Sequence, residues 1–135
     1  SLQLDDGTDI MFFQLRRDDG DRDPHSAGTW VEADGTATPI GVETATLAPG
    51  RTWVSPTSDA VYPIEWRIAL PERDARLEIA AVVDAQELDT DASTGVTYWE
   101  GAVTVTGQVG DRTVTGRGYL EMTGYAGRPM SEMFR

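Results

Sequence analysis

The stretch TYWEGAVTVTGQVGDRTVTGRGYLEMTGY, residues 97–125, decides the fold. Two alternating runs flank Gly110-Asp111, and glycine at the first central position suits a two-residue type II′ turn. That turn sets Val109 opposite Arg112 and so fixes every pair behind it. Val105 faces Gly116, Val103 faces Gly118, Gly101 faces Leu120 and Trp99 faces Met122, large against small on one apolar face. The other face pairs Thr106 with Thr115, Thr104 with Arg117, Ala102 with Tyr119, and Glu100 with Glu121. Like charges directly opposite one another are unfavourable, so the last pair calls for a nearby arginine, a shared proton or a slipped register.

Period-two alternation extends outward from this hairpin through most of the chain, and no apolar repeat of 3.6 residues is long enough for a helix. Leu2 and Leu4 alternate with Gln3 and Asp5, and Asp6-Gly7 turns the chain into DIMFFQLRR. There both faces are apolar at Ile10, Met11, Phe12 and Phe13, as expected when one face meets a barrel interior and the other is covered. DDGDRDPHSAG reads as a polar loop. GTWVEAD and TATPIGVETATL form a hairpin at Asp34-Gly35, with Pro39 and Gly41 marking a bulge or an edge. Pro49-Gly50 turns the chain again. VYPIEWRIALP places Tyr62, Ile64, Trp66, Ile68 and Leu70 on one face, against Glu65 and Arg67 on the other. ARLEIAAVVD returns with Leu77, Ile79, Ala81 and Val83 inward, and AQELDTDASTG is a polar connection. The expectation is all-β: one domain over residues 1–135, an antiparallel barrel of about eight to ten short strands, with a two-sheet sandwich as competitor.

The chain has 135 residues, no cysteine, and a net charge of -12 from 23 acidic and 11 basic residues, all of the latter arginine. Disulfides and thiol chemistry are excluded. So acidic a surface is a poor partner for nucleic acid or anionic membrane, since both bind through cationic contacts. It suits a high-salt milieu, or a genome whose codon bias favours Arg and Asp. No run of about 18 apolar residues and no signal peptide is visible, and Ser1 opens directly on a strand, as at a cut boundary. A soluble protein, exported or in a high-salt cytoplasm, is expected.

Four segments taken together, SLQLDDGTDIMFFQLR, WVSPTSDAVYPIEWRIALP, YWEGAVTVTG and GRGYLEMTGY, resemble the carotenoid 1,2-hydratase (hydroxyneurosporene synthase) and AttH-like family. The resemblance covers nearly the whole chain. It implies a lipocalin-like barrel, the C-terminal of two, with the N-terminal lipocalin-like domain of the same protein as its partner. It also implies an apolar cavity for an isoprenoid- or carotenoid-like molecule and a lyase or hydrolase-type activity without a cofactor. The family's His-x-Trp motif would fall ahead of Ser1. The Tyr-Asp pair of its hydratase members corresponds to Phe13 and Gln14, which offer no acid.

Adding water to an alkene needs a proton donor in a dry pocket. Glu100 and Glu121 are the candidate catalytic pair, shielded by Tyr98 and Tyr119. The competing reading puts this face outside, neutralised by Arg117 and salt. Phe12, Phe13, Trp30, Trp53, Trp66 and Trp99, with Tyr98 and Tyr119, are candidate ligand-binding residues, or simply core. No metal site is expected. His25 is the single histidine, Asp19, Asp21 and Asp23 are followed by Pro24 where a calcium loop needs glycine, and Asp89, Asp91 and Ser93 have Gly95 one place late. The main alternative to ligand binding is a structural module whose apolar face docks a partner barrel.

Overall fold

The structure, a computed structural model, describes residues 1–14, 27–41, 43–89 and 97–125. Twelve strands run through them: β1 (Leu2–Leu4), β2 (Asp9–Phe13), β3 (Ala27–Val31), β4 (Ala37–Ile40), β5 (Thr46–Pro49), β6 (Thr52–Val54), β7 (Val61–Pro63), β8 (Glu65–Leu70), β9 (Ala75–Ala81), β10 (Glu87–Asp89), β11 (Thr97–Val109) and β12 (Arg112–Thr123). A 3₁₀ turn, Pro71–Arg73, links β8 to β9.

Every pairing is antiparallel. The main sheet runs β4-β3-β2-β1-β12-β11-β9-β8-β5, with β10 added to the upper part of β11, while β6 and β7 form a separate hairpin. The sheet curls strongly into a lipocalin-like half-barrel. Its terminal strands β4 and β5 share no ladder among the described residues. The gap is bridged by side chains instead. The Arg73 guanidinium lies 5.3 Å over the Trp30 ring and donates to Glu32 Oε1 at 3.2 Å, and the same oxygen accepts from Trp30 Nε1. Beside them Thr44 donates to Glu72 Oε1 at 3.1 Å.

The β11–β12 register matches the sequence reading pair for pair, from Val109↔Arg112 to Trp99↔Met122, and includes Glu100↔Glu121. Gly110 sits at φ 60° and Asp111 stays in the ordinary region, as a type II′ turn requires. Strong curl needs close strand approach. A Cβ at Gly107 would run into the main chain of Arg76 and Leu77, and one at Gly116 or Gly118 into the main chain of β1 and Ser1. Glycines at these crossings let β11 and β12 bend around the core.

Two other turns share one chemistry. In DDGT (5–8) and ADGT (33–36) the glycines sit at φ 94° and 93°, and the aspartate Oδ1 accepts the threonine N–H at 2.9 Å. That bond is the leading cause of the lowered carboxyl pKa at both Asp6 and Asp34. The sequence signal and the hydrogen bond are the same feature: an Asx turn closing a three-residue hairpin loop.

Three expectations are corrected. The connection read as purely polar contains β10, which pairs Glu87, Leu88 and Asp89 with Trp99, Tyr98 and Thr97. Val83 is not inward: β9 ends at Ala81, and Val83 is 54% exposed. The outer apolar residues of β2 lack the expected cover, with Met11 60% and Phe13 53% exposed. Two strands carry prolines at the open gap, Pro39 in β4 and Pro49 in β5, which remove ladder donors from exposed edges. The loop of residues 18–26 with His25 and the tail after Tyr125 lie outside the described residues, as do Asp91, Ser93 and Gly95.

Candidate functional site: an apolar cavity and a hydroxyl-carboxylate clasp

The inward period-two positions converge on two apolar clusters. The larger holds Leu2, Leu4, Ile10, Ile68, Leu77, Ile79, Val103 and Val105 among others. The smaller holds Tyr62, Ile64, Trp99, Met122 and Tyr125, with Trp53 packed against it. Between them opens a cavity of about 470 Å³. Its walls are mainly Ile10, Phe12, Leu47, Trp66, Ile79 and Leu120, and its rim includes Gln14, Tyr119, Glu121 and Thr123. That volume is within the range of pockets that hold small organic molecules.

Of the aromatic residues expected to line a cavity, Phe12 and Trp66 do so from the inner face, while Phe13 and Tyr119, exposed on the outer face, touch it only at its opening. Four lie elsewhere. Trp30 is buried under Arg73, at the contact that bridges the gap between β4 and β5. Trp53 stacks on Tyr62 at 6.2 Å between centroids. Trp99 is fully buried in the smaller cluster and donates from Nε1 to the Asp84 carbonyl at 2.7 Å. Tyr98 is half-buried on the outer face. The aliphatic lining, Leu47, Ile68, Ile79, Val103, Leu120 and Met122, was visible in the sequence only as inward alternation, a signal that does not separate core from cavity wall.

Glu100 and Glu121 face each other across the ladder, on the side that alternates with Trp99, Gly101, Leu120 and Met122. That side is the outside of the sheet. Glu121 is exposed and Glu100 half-buried. Tyr119, also on that face, has its hydroxyl pKa raised, by burial first and then by the charge of Glu100. Among the described residues neither glutamate has an ion pair with arginine; the ion pairs formed are Arg51 with Glu65 and Asp84, Arg73 with Glu32, and Arg112 with Asp6.

A second constellation was not foreseen. Glu87, on β10, accepts three hydroxyl hydrogen bonds: Ser55 Oγ to Oε1 at 2.6 Å, and Ser58 Oγ and Tyr62 OH to Oε2 at 2.5 and 2.7 Å. Ser55 Oγ in turn accepts the N–H groups of Thr57 and Ser58, locking the tight Ser55–Asp59 turn in which Asp59 has φ 61°. Burial pushes the Glu87 carboxyl up, but the three donors outweigh it and hold its pKa below the ordinary glutamate value. The Tyr62 hydroxyl is pushed up, first by burial and then by its hydrogen bond to Glu87. The clasp pins the β6–β7 hairpin to β10 and so closes the smaller cluster. It lies outside the cavity lining. Its hint in the sequence was a glutamate between two apolar strands, facing a Ser-x-x-Ser turn some thirty residues away.

No group of three or more His, Cys, Asp or Glu side chains among the described residues is placed to hold a metal ion. No helix among them is long and apolar enough to cross a membrane.

Fold and cavity together define the class: an all-β, lipocalin-like antiparallel half-barrel with a mainly apolar cavity open on one side. The chain belongs to the AttH-like family, whose profile matches residues 1–125. Among solved structures it is similar to an AttH protein of Nitrosomonas europaea, at 38% identity over 93% of this chain, with a TM-score of 0.81. It is also similar to kievitone hydratase from Nectria haematococca, at 20% identity over 93% of this chain, with a TM-score of 0.73. The second likeness is one of fold. The chain spans 37% and 38% of those two proteins' lengths. No curated protein sequence matches it.

Proposed function

We propose that this barrel binds an apolar small molecule, isoprenoid-like in shape and polarity, and serves as one lipocalin-like half of a cofactor-independent hydratase- or hydrolase-type protein. The observation that carries this reading is the cavity of about 470 Å³ walled by Ile10, Phe12, Leu47, Trp66, Ile79 and Leu120. The space opens to solvent on one side and is large enough to admit a small organic molecule. The fold shared with kievitone hydratase supports a hydratase-type context. Within this chain the walls are mainly apolar. The barrel therefore supplies binding and water exclusion. Glu121 is the carboxylate closest to such a role, at the rim, and it meets a ligand there only if another element folds over the outer face.

The test is displacement of a fluorescent apolar probe, N-phenyl-1-naphthylamine, by farnesol and by β-ionone. Leu120→Trp, which projects an indole into the cavity from a half-buried position, is expected to weaken probe binding at least about tenfold while leaving the far-UV circular dichroism unchanged. Equal probe affinity in wild type and Leu120→Trp would refute cavity binding. The second reading, a module that docks a partner barrel, is favoured by the exposed Met11 and Phe13 on the outer face of β2.

A further inference from the structure

The two apolar clusters meet at very few side chains. Among the described residues, Trp66 on β8 and Leu120 on β12 are the two half-buried apolar residues that pack against both clusters, and both line the cavity. They form a partition between the open volume and the smaller cluster, in which Tyr62, Ile64 and Trp99 are each 0% exposed. The two differ in freedom. A leucine beside open space can change rotamer. Trp66 is tied down: its indole Nε1 donates to the Pro63 carbonyl at 3.0 Å, and its main chain is held in the ladder between Ile79 of β9 and Pro49 of β5. The ring cannot swing out of the cavity wall without breaking that bond, and it presents a large rigid face in its place.

We propose that Trp66 is the specificity-determining residue of the cavity: its fixed indole shuts off the smaller cluster and so sets the longest apolar chain that the barrel accepts. The inference rests on the cavity taking an apolar ligand, and it adds the ligand's shape, a slender chain of limited length. The other walls explain why the limit falls on this residue. Ile68, Ile79 and Val103 belong to the larger cluster alone, so shortening any of them loosens that cluster without opening a way to the other. Met122 and Tyr125 belong to the smaller cluster and also line the cavity, so the smaller cluster already borders the open volume beside the indole. Shortening Trp66 extends the cavity in that direction. Each methylene moved from water into an apolar site raises affinity by about fourfold. The gain stops where the chain meets a wall that does not give, because further carbons must stay in water or strain the packing.

The experiment displaces N-phenyl-1-naphthylamine with straight-chain 1-alkanols from hexanol to tetradecanol, on the wild type and on Trp66→Leu, with far-UV circular dichroism of both. In the wild type, affinity is expected to climb by about fourfold per methylene and then to level off at one chain length. In Trp66→Leu the levelling-off is expected about two carbons later or more, while alcohols shorter than the wild-type limit keep their affinity within about threefold. Trp66→Phe, which keeps a ring in the wall, moves the limit in the same direction by a smaller step and replaces the leucine variant if that one does not fold. A limit that stays at the same chain length in a folded variant overturns the proposal, as does a wild-type affinity still climbing at tetradecanol. If neither the probe nor any alcohol binds the wild type, the cavity-binding reading itself fails and takes this inference with it.

Discussion

Removing Glu87 tests whether the hydroxyl-carboxylate clasp holds the upper half of the molecule together. In Glu87→Ala the hydroxyls of Ser55 and Tyr62, which are 1% and 0% exposed, lose their acceptor without gaining water. Each buried, unpaired hydroxyl costs about 1–3 kcal/mol, and the lost charge-assisted bonds fall within the same sum. Glu87 itself is only half-buried, so part of its side is already solvated and the lower end of that range applies. The expected loss is about 3 kcal/mol, and about 1–2 kcal/mol for Glu87→Gln, which keeps one acceptor but no charge. For a domain of this size the alanine change lowers Tm by about 10 °C.

The pH dependence has a definite sign. The folded-state pKa of Glu87 is depressed below the ordinary value of 4.5. Its contribution is therefore complete above that value and is lost as pH falls through the folded pKa. Urea denaturation of the wild type, Glu87→Gln and Glu87→Ala at pH 7 and pH 3.5 measures this. The gap between wild type and Glu87→Gln should narrow at pH 3.5. An alanine variant within about 0.5 kcal/mol of wild type at pH 7 would refute the reasoning, because surface changes of no structural consequence fall in that band. So would a gap to Glu87→Gln that is unchanged at pH 3.5.

Two further changes probe the main sheet. Glu121→Lys replaces a like-charge cross-strand pair with an attractive one opposite Glu100, and should stabilise the chain by about 0.5–1 kcal/mol at low salt. The gain should vanish in 1 M NaCl, where the screening length is about 3 Å, and a gain that persists there would mean that charge is not its source. Gly107→Ala drives a methyl group into the Arg76 carbonyl of β9. It should cost at least about 3 kcal/mol by chemical denaturation, and a near-neutral result would show that β9 and β11 separate easily where the sheet curls.

The hairpin of residues 97–125 was legible to the single pair because its determinants are local. A glycine able to take φ 60° fixes the turn, and strict alternation carries the register from there. The DDGT and ADGT turns were legible for the same reason. β10 was not, because a three-residue edge strand has no periodicity of its own and is held by the clasp from Ser55, Ser58 and Tyr62, far away in sequence. The direction of the Glu100–Glu121 face was not legible either. Alternation divides residues into two faces but does not say which of them curls inward. Packing of Trp99, Val103 and Met122 against the rest of the core settles that.

The aromatic residues divide in the same way. Sequence alone marked Phe12, Phe13, Trp30, Trp53, Trp66 and Trp99 as cavity lining or core, and all but Phe13, which is 53% exposed, are buried or half-buried. Only the assembled sheet shows that Phe12 and Trp66 border empty volume, whereas Trp30 and Trp99 are buried away from it. A strand's period determines its faces, its turns determine its neighbours, and both are written in short stretches of chain. A cavity is the space left over when strands distant in sequence meet at a given curvature, and no stretch of chain encodes it by itself.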